Sequence, residues 1–354
     1  MDKELKKFFR ELVEAPSPSG FEEPAQEVYR KFVRKYSDEV KTDVHGNVIA
    51  FRKGKGKLKM MVSGHADEIG FMVNFIDSDG FIYFRAIGGV DPSLLPGLKV
   101  DIYTKKGKIR GVIGRKAIHM MEKEEREKTP QLKDLWIDIG AKDKKQAETL
   151  VSIGDPITFQ LGMEDLQNDL VLTKATDNKA GVFASGALLK YLEKEKTEAN
   201  LFCVSSVQEE LGLRGARTSA FGIAPDIGLA FDVTTATDHP TTEKKKYGDI
   251  SLNKGPAIAK GANINPVIFD MLLSTAKKNN IDYQIEAAPR ATGTDANIIQ
   301  LTRSGVATGL ISFPNRYMHT PIEIVSLKDI EKAVKLAGEF IKTLNDKIDF
   351  TPGM

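Results

Sequence analysis

Thr176–Glu210 reads TDNKAGVFASGALLKYLEKEKTEANLFCVSSVQEE. A helix-length apolar stretch, about Lys179–Glu193, passes through a short polar connection into an unbroken apolar run, Leu201–Val207. An apolar run of that length, bounded by polar residues, fits a strand covered on both faces. Downstream the same alternation continues: a strand at Ile227–Val233, a helix near Pro266–Lys278, another helix from about Asp295 and a strand at Val306–Ser312. A long helix over about Ser326–Asn345 closes the chain. In that helix Ile330, Val334, Ala337, Phe340, Ile341 and Leu344 share one face, and Ser326 followed by Asp329 suits an N-cap. Upstream, helical spacing covers residues 3–14 and 21–36, separated by the breaker Pro16-Ser17-Pro18-Ser19-Gly20. Strands follow at Asn47–Arg52 and Leu58–Ser63, the second ending in Gly64-His65-Ala66-Asp67. Strands alternating with helices predict an α/β fold, a mostly parallel sheet covered by helices.

Between Ile69 and Lys174 the pattern changes. Short apolar stretches at Gly70–Ile76, Phe81–Ala86, Lys99–Tyr103, Ile109–Ile113 and Pro156–Gln160 are separated by Gly, Asp and Lys-Gly turns. This is a β-rich, barrel-like unit, with the charged stretch Met121–Lys128 as a solvated loop inside it. The expected organisation is a catalytic α/β domain from residues 1–68 and 175–354, with residues 69–174 inserted as a smaller β-rich domain.

A chain of 354 residues exceeds what one core usually supports. Its 51 basic and 49 acidic side chains leave a formal charge of +2, so no basic excess marks a nucleic-acid binder. Cys203 is the single cysteine, no apolar run is long enough to span a membrane, and a reducing, cytoplasmic setting is expected. Neither nucleic acid nor membrane is an expected partner.

Open α/β sheets place their sites beyond the carboxyl ends of strands. The strand Leu58–Ser63 delivers His65 and Asp67; Val171–Thr176 delivers Asp177; Leu201–Val207 delivers Glu209 and Glu210; Ile227–Phe231 delivers Asp232. Val306–Ser312 leads to His319. Five strand ends carrying imidazole or carboxylate suit a divalent ion such as zinc, and the number of donors fits two ions joined by a bridging carboxylate. Successive residues leaving a strand point in different directions. One of Glu209 and Glu210 can therefore bind metal while the other faces a bound water as general base.

The segments Gly64–Gly70, Thr176–Gly181, Val207–Ala216 and Arg316–Pro321 closely resemble the motifs of the M42 metallo-aminopeptidases, the TET-type tetrahedral enzymes. The likeness extends to Asp134–Ala141, Gly154-Asp155-Pro156 and Gly293–Ala296, and so runs along essentially the whole chain. It implies a dinuclear metal-dependent aminopeptidase that hydrolyses N-terminal residues through a metal-activated water. Asp177 is then the bridging ligand, His65 and Asp232 complete one metal site, Glu210 and His319 complete the other, and Glu209 is the general base. Asp67 orients the His65 imidazole. Two divalent ions, zinc or cobalt, are implied, as is a homo-oligomer, a dodecamer built from dimers through the inserted domain. Where the family often has a second Asp after the bridging one, this chain has Asn178, and the resemblance suggests a cis bond there.

His45, His119 and His239 read as loop or surface residues, Cys203 and Trp136 as packing, Lys244-Lys245-Lys246 as a solvated face, and Asp295 as a helix cap or, alternatively, a support behind the ligands. The rival functions are a deacylase or dipeptidase on the same scaffold, a two-carboxylate glycoside hydrolase, and a catalytically silent peptide-binding protein.

Overall fold

A computed structural model describes residues 1–353. Its body is an eleven-stranded sheet. At its centre lie four parallel strands in the order Asn200–Ser206, Lys59–His65, Ile227–Thr235 and Ala307–Arg316. The parallel character is confined to these four and to the pair Ala257–Gly261 with Gln284–Ala288. Both flanks are antiparallel, through Val48–Arg52 on one side and Glu323–Ser326 with Leu170–Thr173 on the other.

Side chains alternate across a strand, and here the alternation separates two cores. Met60 and Val62 enter the main core while Met61 enters a smaller one on the opposite face. The main core lies under the helices Lys3–Glu14, Glu23–Val33, Thr176–Tyr191 and Leu327–Thr343. The helix Thr176–Tyr191 is buried from Thr176 to Leu189, which is why its stretch from Ala180 to Leu189 carries no charged residue. Arg214–Ile223 and Asp295–Ile299 line the smaller core. The last helix starts as expected, with the Ser326 hydroxyl accepting from Asp329 N at 3.2 Å. The Asp329 carboxylate is directed elsewhere, to Asn253 N and Gly255 N.

The β-rich segment closes into a six-stranded barrel of Gly70–Ile76, Ile82–Ile87, Trp136–Asp138, Gly107–Gly114, Lys99–Thr104 and Pro156–Phe159. Its core, from Ile69 to Phe159, is separate from those of the sheet. Its first and last strands pair antiparallel, with Phe71 opposite Ile157. The chain then rejoins the large sheet at Glu164–Asp165 and Leu170–Thr173. Within Met121–Lys128, expected as a loop, Lys123–Arg126 forms one exposed helical turn. No helix among the described residues is long and apolar enough to cross a membrane.

Candidate metal centre

The strand Lys59–His65 runs two residues beyond its expected end, and His65 itself pairs with Ser206 of the neighbouring strand. The floor beneath is main chain packed on main chain. A Cβ at Gly64 would lie 2.3 Å from the Gly181 carbonyl carbon, and one at Gly181 would lie 2.4 Å from Asn178 Oδ1. Only glycine permits this approach, and it seats the start of the helix Thr176–Tyr191 directly against the strand that carries His65.

Two groups of donors assemble there. His65, Glu209 and Asp232 form a buried set; Asp177, Glu210 and His319 form a set nearer the surface. Asp177 faces both. Its Oδ1 lies 3.3 Å from His65 Nε2, and its Oδ2 lies 3.4 Å from His319 Nε2. Glu209 Oε2 is 3.6 Å from His65 Nε2. All the ligand positions expected from sequence thus come together, and so does Glu209.

The imidazole orientations are set from behind. His65 Nδ1 is 3.1 Å from the Asp67 carbonyl oxygen, and His319 Nδ1 is 3.1 Å from the Gly89 carbonyl oxygen. A carbonyl can only accept, so each Nδ1–H donates and each Nε2 is directed at Asp177. At 3.3 and 3.4 Å from carboxylate oxygens, each Nε2 needs a positive charge at the contact, either its own proton or a cation between the two. Asp232 Oδ2 is buried without a hydrogen-bond partner, an arrangement rare in folded proteins unless a ligand is expected. A divalent cation bound by nitrogen and oxygen fits both observations, and so does this donor set.

The electrostatics agree. Burial, opposed by His65 and reinforced by Asp232, pushes Glu209 far above the usual carboxylate range. Burial and the neighbouring Asp177 likewise raise Glu210, and burial raises Asp232. Asp177 is also buried, but hydrogen bonds from His319 and His65 outweigh this and hold it below its ordinary value. His319, bonded to Asp177, is raised to about 9. Several buried carboxylates around two imidazoles hold more negative charge than the protein compensates.

Asp67 does more than orient His65. Its Oδ1 accepts from Glu209 N at 3.0 Å and its Oδ2 from Glu210 N at 3.1 Å, while Ser19 Oγ donates to Oδ2 at 2.7 Å. The Asp177–Asn178 bond is cis. Asn178 points away from the donors: its Nδ2 donates to the Phe231 carbonyl at 2.8 Å and its Oδ1 accepts from Gly181 N at 2.9 Å. A carboxylate in its place could not make the first of these bonds. Left-handed backbone at Ala175, Gln208 and His319 flanks the ligands, in keeping with strain concentrated at functional sites.

Sequence reasoning missed several supports. Glu323 is 2% exposed and accepts from Thr176 Oγ1 at 2.6 Å and from Asp177 N at 3.1 Å. An acid within the apolar run Ile322–Val325 was its available signal. Glu68 is buried between Lys174 Nζ at 2.6 Å and Lys179 Nζ at 3.2 Å. Asp295 was not missed: of its two readings, cap and support behind the ligands, the cap fails, since it is the first helical residue after Thr294. Its carboxylate instead braces the strand ends through Ser63 Oγ at 2.5 Å and Ser206 Oγ at 2.7 Å. His45, His119 and His239 belong to neither donor group, and Cys203 is fully buried.

A family model described as M42 glutamyl aminopeptidase matches residues 46–336. The lysyl aminopeptidase of Pyrococcus furiosus is 37% identical, over 97% of this chain and 98% of its own. Among solved structures, the TET aminopeptidase of a marine-sediment Thaumarchaeota archaeon has a TM-score of 0.93 at 31% identity, covering 97% of each chain. The Pyrococcus horikoshii TET1 peptidase, which can assemble into a tetrahedron or a large octahedral shell, has a TM-score of 0.86 at 30% identity, covering 96% of this chain and 100% of that one. With the match spanning sheet, barrel and the segments that carry the donors, the chain belongs to the M42 aminopeptidase family and is a peptide-bond hydrolase.

Proposed function

We propose that the centre holds two divalent metal ions, zinc or cobalt, and that the chain removes residues from the free N-termini of peptides. The observation that carries this reading is the Asp177 carboxylate, with one oxygen directed at each imidazole. In this reading Asp177 bridges, His65 and Asp232 complete one site, and Glu210 and His319 complete the other. Ions bound there supply acidification of a water and polarisation of the scissile carbonyl. Glu209 takes the proton from the attacking water and delivers it to the departing amine. Asp67 fixes both the His65 ring and the backbone from which Glu209 projects. An ion held there would also take the free α-amino group of the substrate, which would restrict cleavage to chain ends.

We further propose that residues 1–68 and 175–354 form the catalytic domain and residues 69–174 a dimerisation domain, and that dimers assemble into a cytoplasmic dodecamer. Supporting this, Met72, Phe75 and Val112 expose apolar surface on the barrel, and the Pyrococcus horikoshii relative forms closed shells. Light scattering tests the assembly: a mass of one or two chains would rule out the dodecamer.

The activity is tested by giving metal-stripped protein a panel of aminoacyl chromogenic substrates, with and without zinc or cobalt. Release restored by metal, from free but not blocked N-termini, is the expected result. Equal release from blocked substrates would instead indicate a deacylase, and turnover indifferent to chelators would remove the metal from the mechanism.

A further inference from the structure

The stretch Pro16–Gly20 appears in the sequence as a mere break between two helices, yet it forms part of the floor of the site. Pro18 pairs with Glu68 in an isolated bridge. Ser17 N donates to Glu68 Oε1 at 2.8 Å, Ser17 Oγ donates to the Ala66 carbonyl at 2.7 Å, and Ser19 Oγ reaches Asp67. The chain then turns at Gly20 and buries Glu22, which is 7% exposed. Glu22 Oε1 accepts from Gly20 N at 2.7 Å and from Gln208 N at 3.3 Å.

Gln208 N is the first of three consecutive amides taken by carboxylates. Asp67 takes the next two, those of Glu209 and Glu210. Gln208 itself has a φ of 54°, a conformation that a non-glycine residue keeps only where its surroundings hold it. Bonds from amides to carboxylates are among the stronger ones available for this purpose. The direction in which the two glutamates leave the backbone depends on how these amides are held.

We infer that Glu22 is a positioning residue for Glu209: with Asp67 it forms a two-carboxylate cradle that fixes the Gln208–Glu210 backbone and so aims the general base. The inference rests on Glu209 being that base. It assigns to the N-terminal segment a part in catalysis as well as in packing.

The test compares Glu22→Ala and Glu22→Gln in the full-length, metal-loaded protein. Amide exchange of the peptide covering residues 207–212, read by mass spectrometry, reports the cradle without reference to turnover. Glu22→Ala should lose protection there while barrel peptides stay as in the parent. It should also lower kcat by about 10- to 100-fold, the usual effect of removing an outer hydrogen-bond partner, with KM little changed. Glu22→Gln retains an acceptor oxygen and should recover most of both. Unchanged exchange at 207–212 in Glu22→Ala, or a Gln variant no better than Ala, would overturn the inference. A loss of protection spread evenly over the chain in Glu22→Ala, with the parent's kcat in the molecules that remain folded, would overturn it too. If the parent cleaves no aminoacyl substrate, the aminopeptidase reading fails instead, and the exchange data still decide the cradle.

Discussion

His65 closes a strand hydrogen-bonded to its neighbour up to His65 itself, with Asp67 behind its ring. His319 stands on a loop beyond its strand, its side chain 43% exposed, and its ring leans on Gly89, which the barrel contributes. The inner half of the site is therefore built on the sheet and the N-terminal segment packed against it, while the outer half depends on how the barrel meets the sheet. Rigid elements hold ligands more tightly than loops do, so the inner position should bind its metal more strongly and the outer one should exchange first.

The largest effect should come from Glu209→Gln, which keeps the shape and removes the proposed base. Turnover should fall by about 10²- to 10⁴-fold with both metals retained, as measured by kinetics beside metal analysis. Retained turnover would mean that the inner half supplies ligands only. Next, Asp67→Ala should weaken metal binding at the inner position by about 10- to 100-fold, measured by competition with a chelator. If the outer position weakens more, the two halves have been ranked the wrong way round.

A pH experiment sharpens the same contrast, because the inner floor is made of buried acids. Burial pushes Glu22 up to about 7 from its ordinary 4.5. The folded state therefore holds that proton more tightly than the unfolded one. The destabilisation is absent below 4.5, grows as pH rises towards 7 and is complete above it. Glu22→Gln should thus gain thermal stability over the parent as pH rises from 5 to 8, by at most about 3 kcal/mol. A gap that is constant across this range would show that Glu22 does not titrate there. The smallest effect is expected from Gly89→Ala. Its new Cβ would lie 3.1 Å from His319 Nδ1, so the outer metal should be lost more readily, by less than about tenfold, with the inner one untouched.

The sheet and the cluster of donors were legible because most of the donors lie at or just beyond the end of an apolar strand, where an α/β sheet exposes functional groups. What was illegible depended on partners far away in sequence. Glu323 acquires its role from Thr176, and Glu22 from Gln208; in sequence Glu22 is an ordinary acid at a helix start. The three-residue barrel strand Trp136–Asp138 is too short to display a period. The helix Arg214–Ile223 escaped because it begins after left-handed Leu213 with no side-chain cap, leaving none of the usual start signals.

The pairing of Phe71 with Ile157 means that the chain enters and leaves the barrel through adjacent strands. Viewed as heredity rather than mechanics, the barrel is a cassette with its two ends side by side. A lineage could replace it in a single recombination, exchanging the Gly89 support of His319 with it, while the strand ends that carry the donors pass on unaltered.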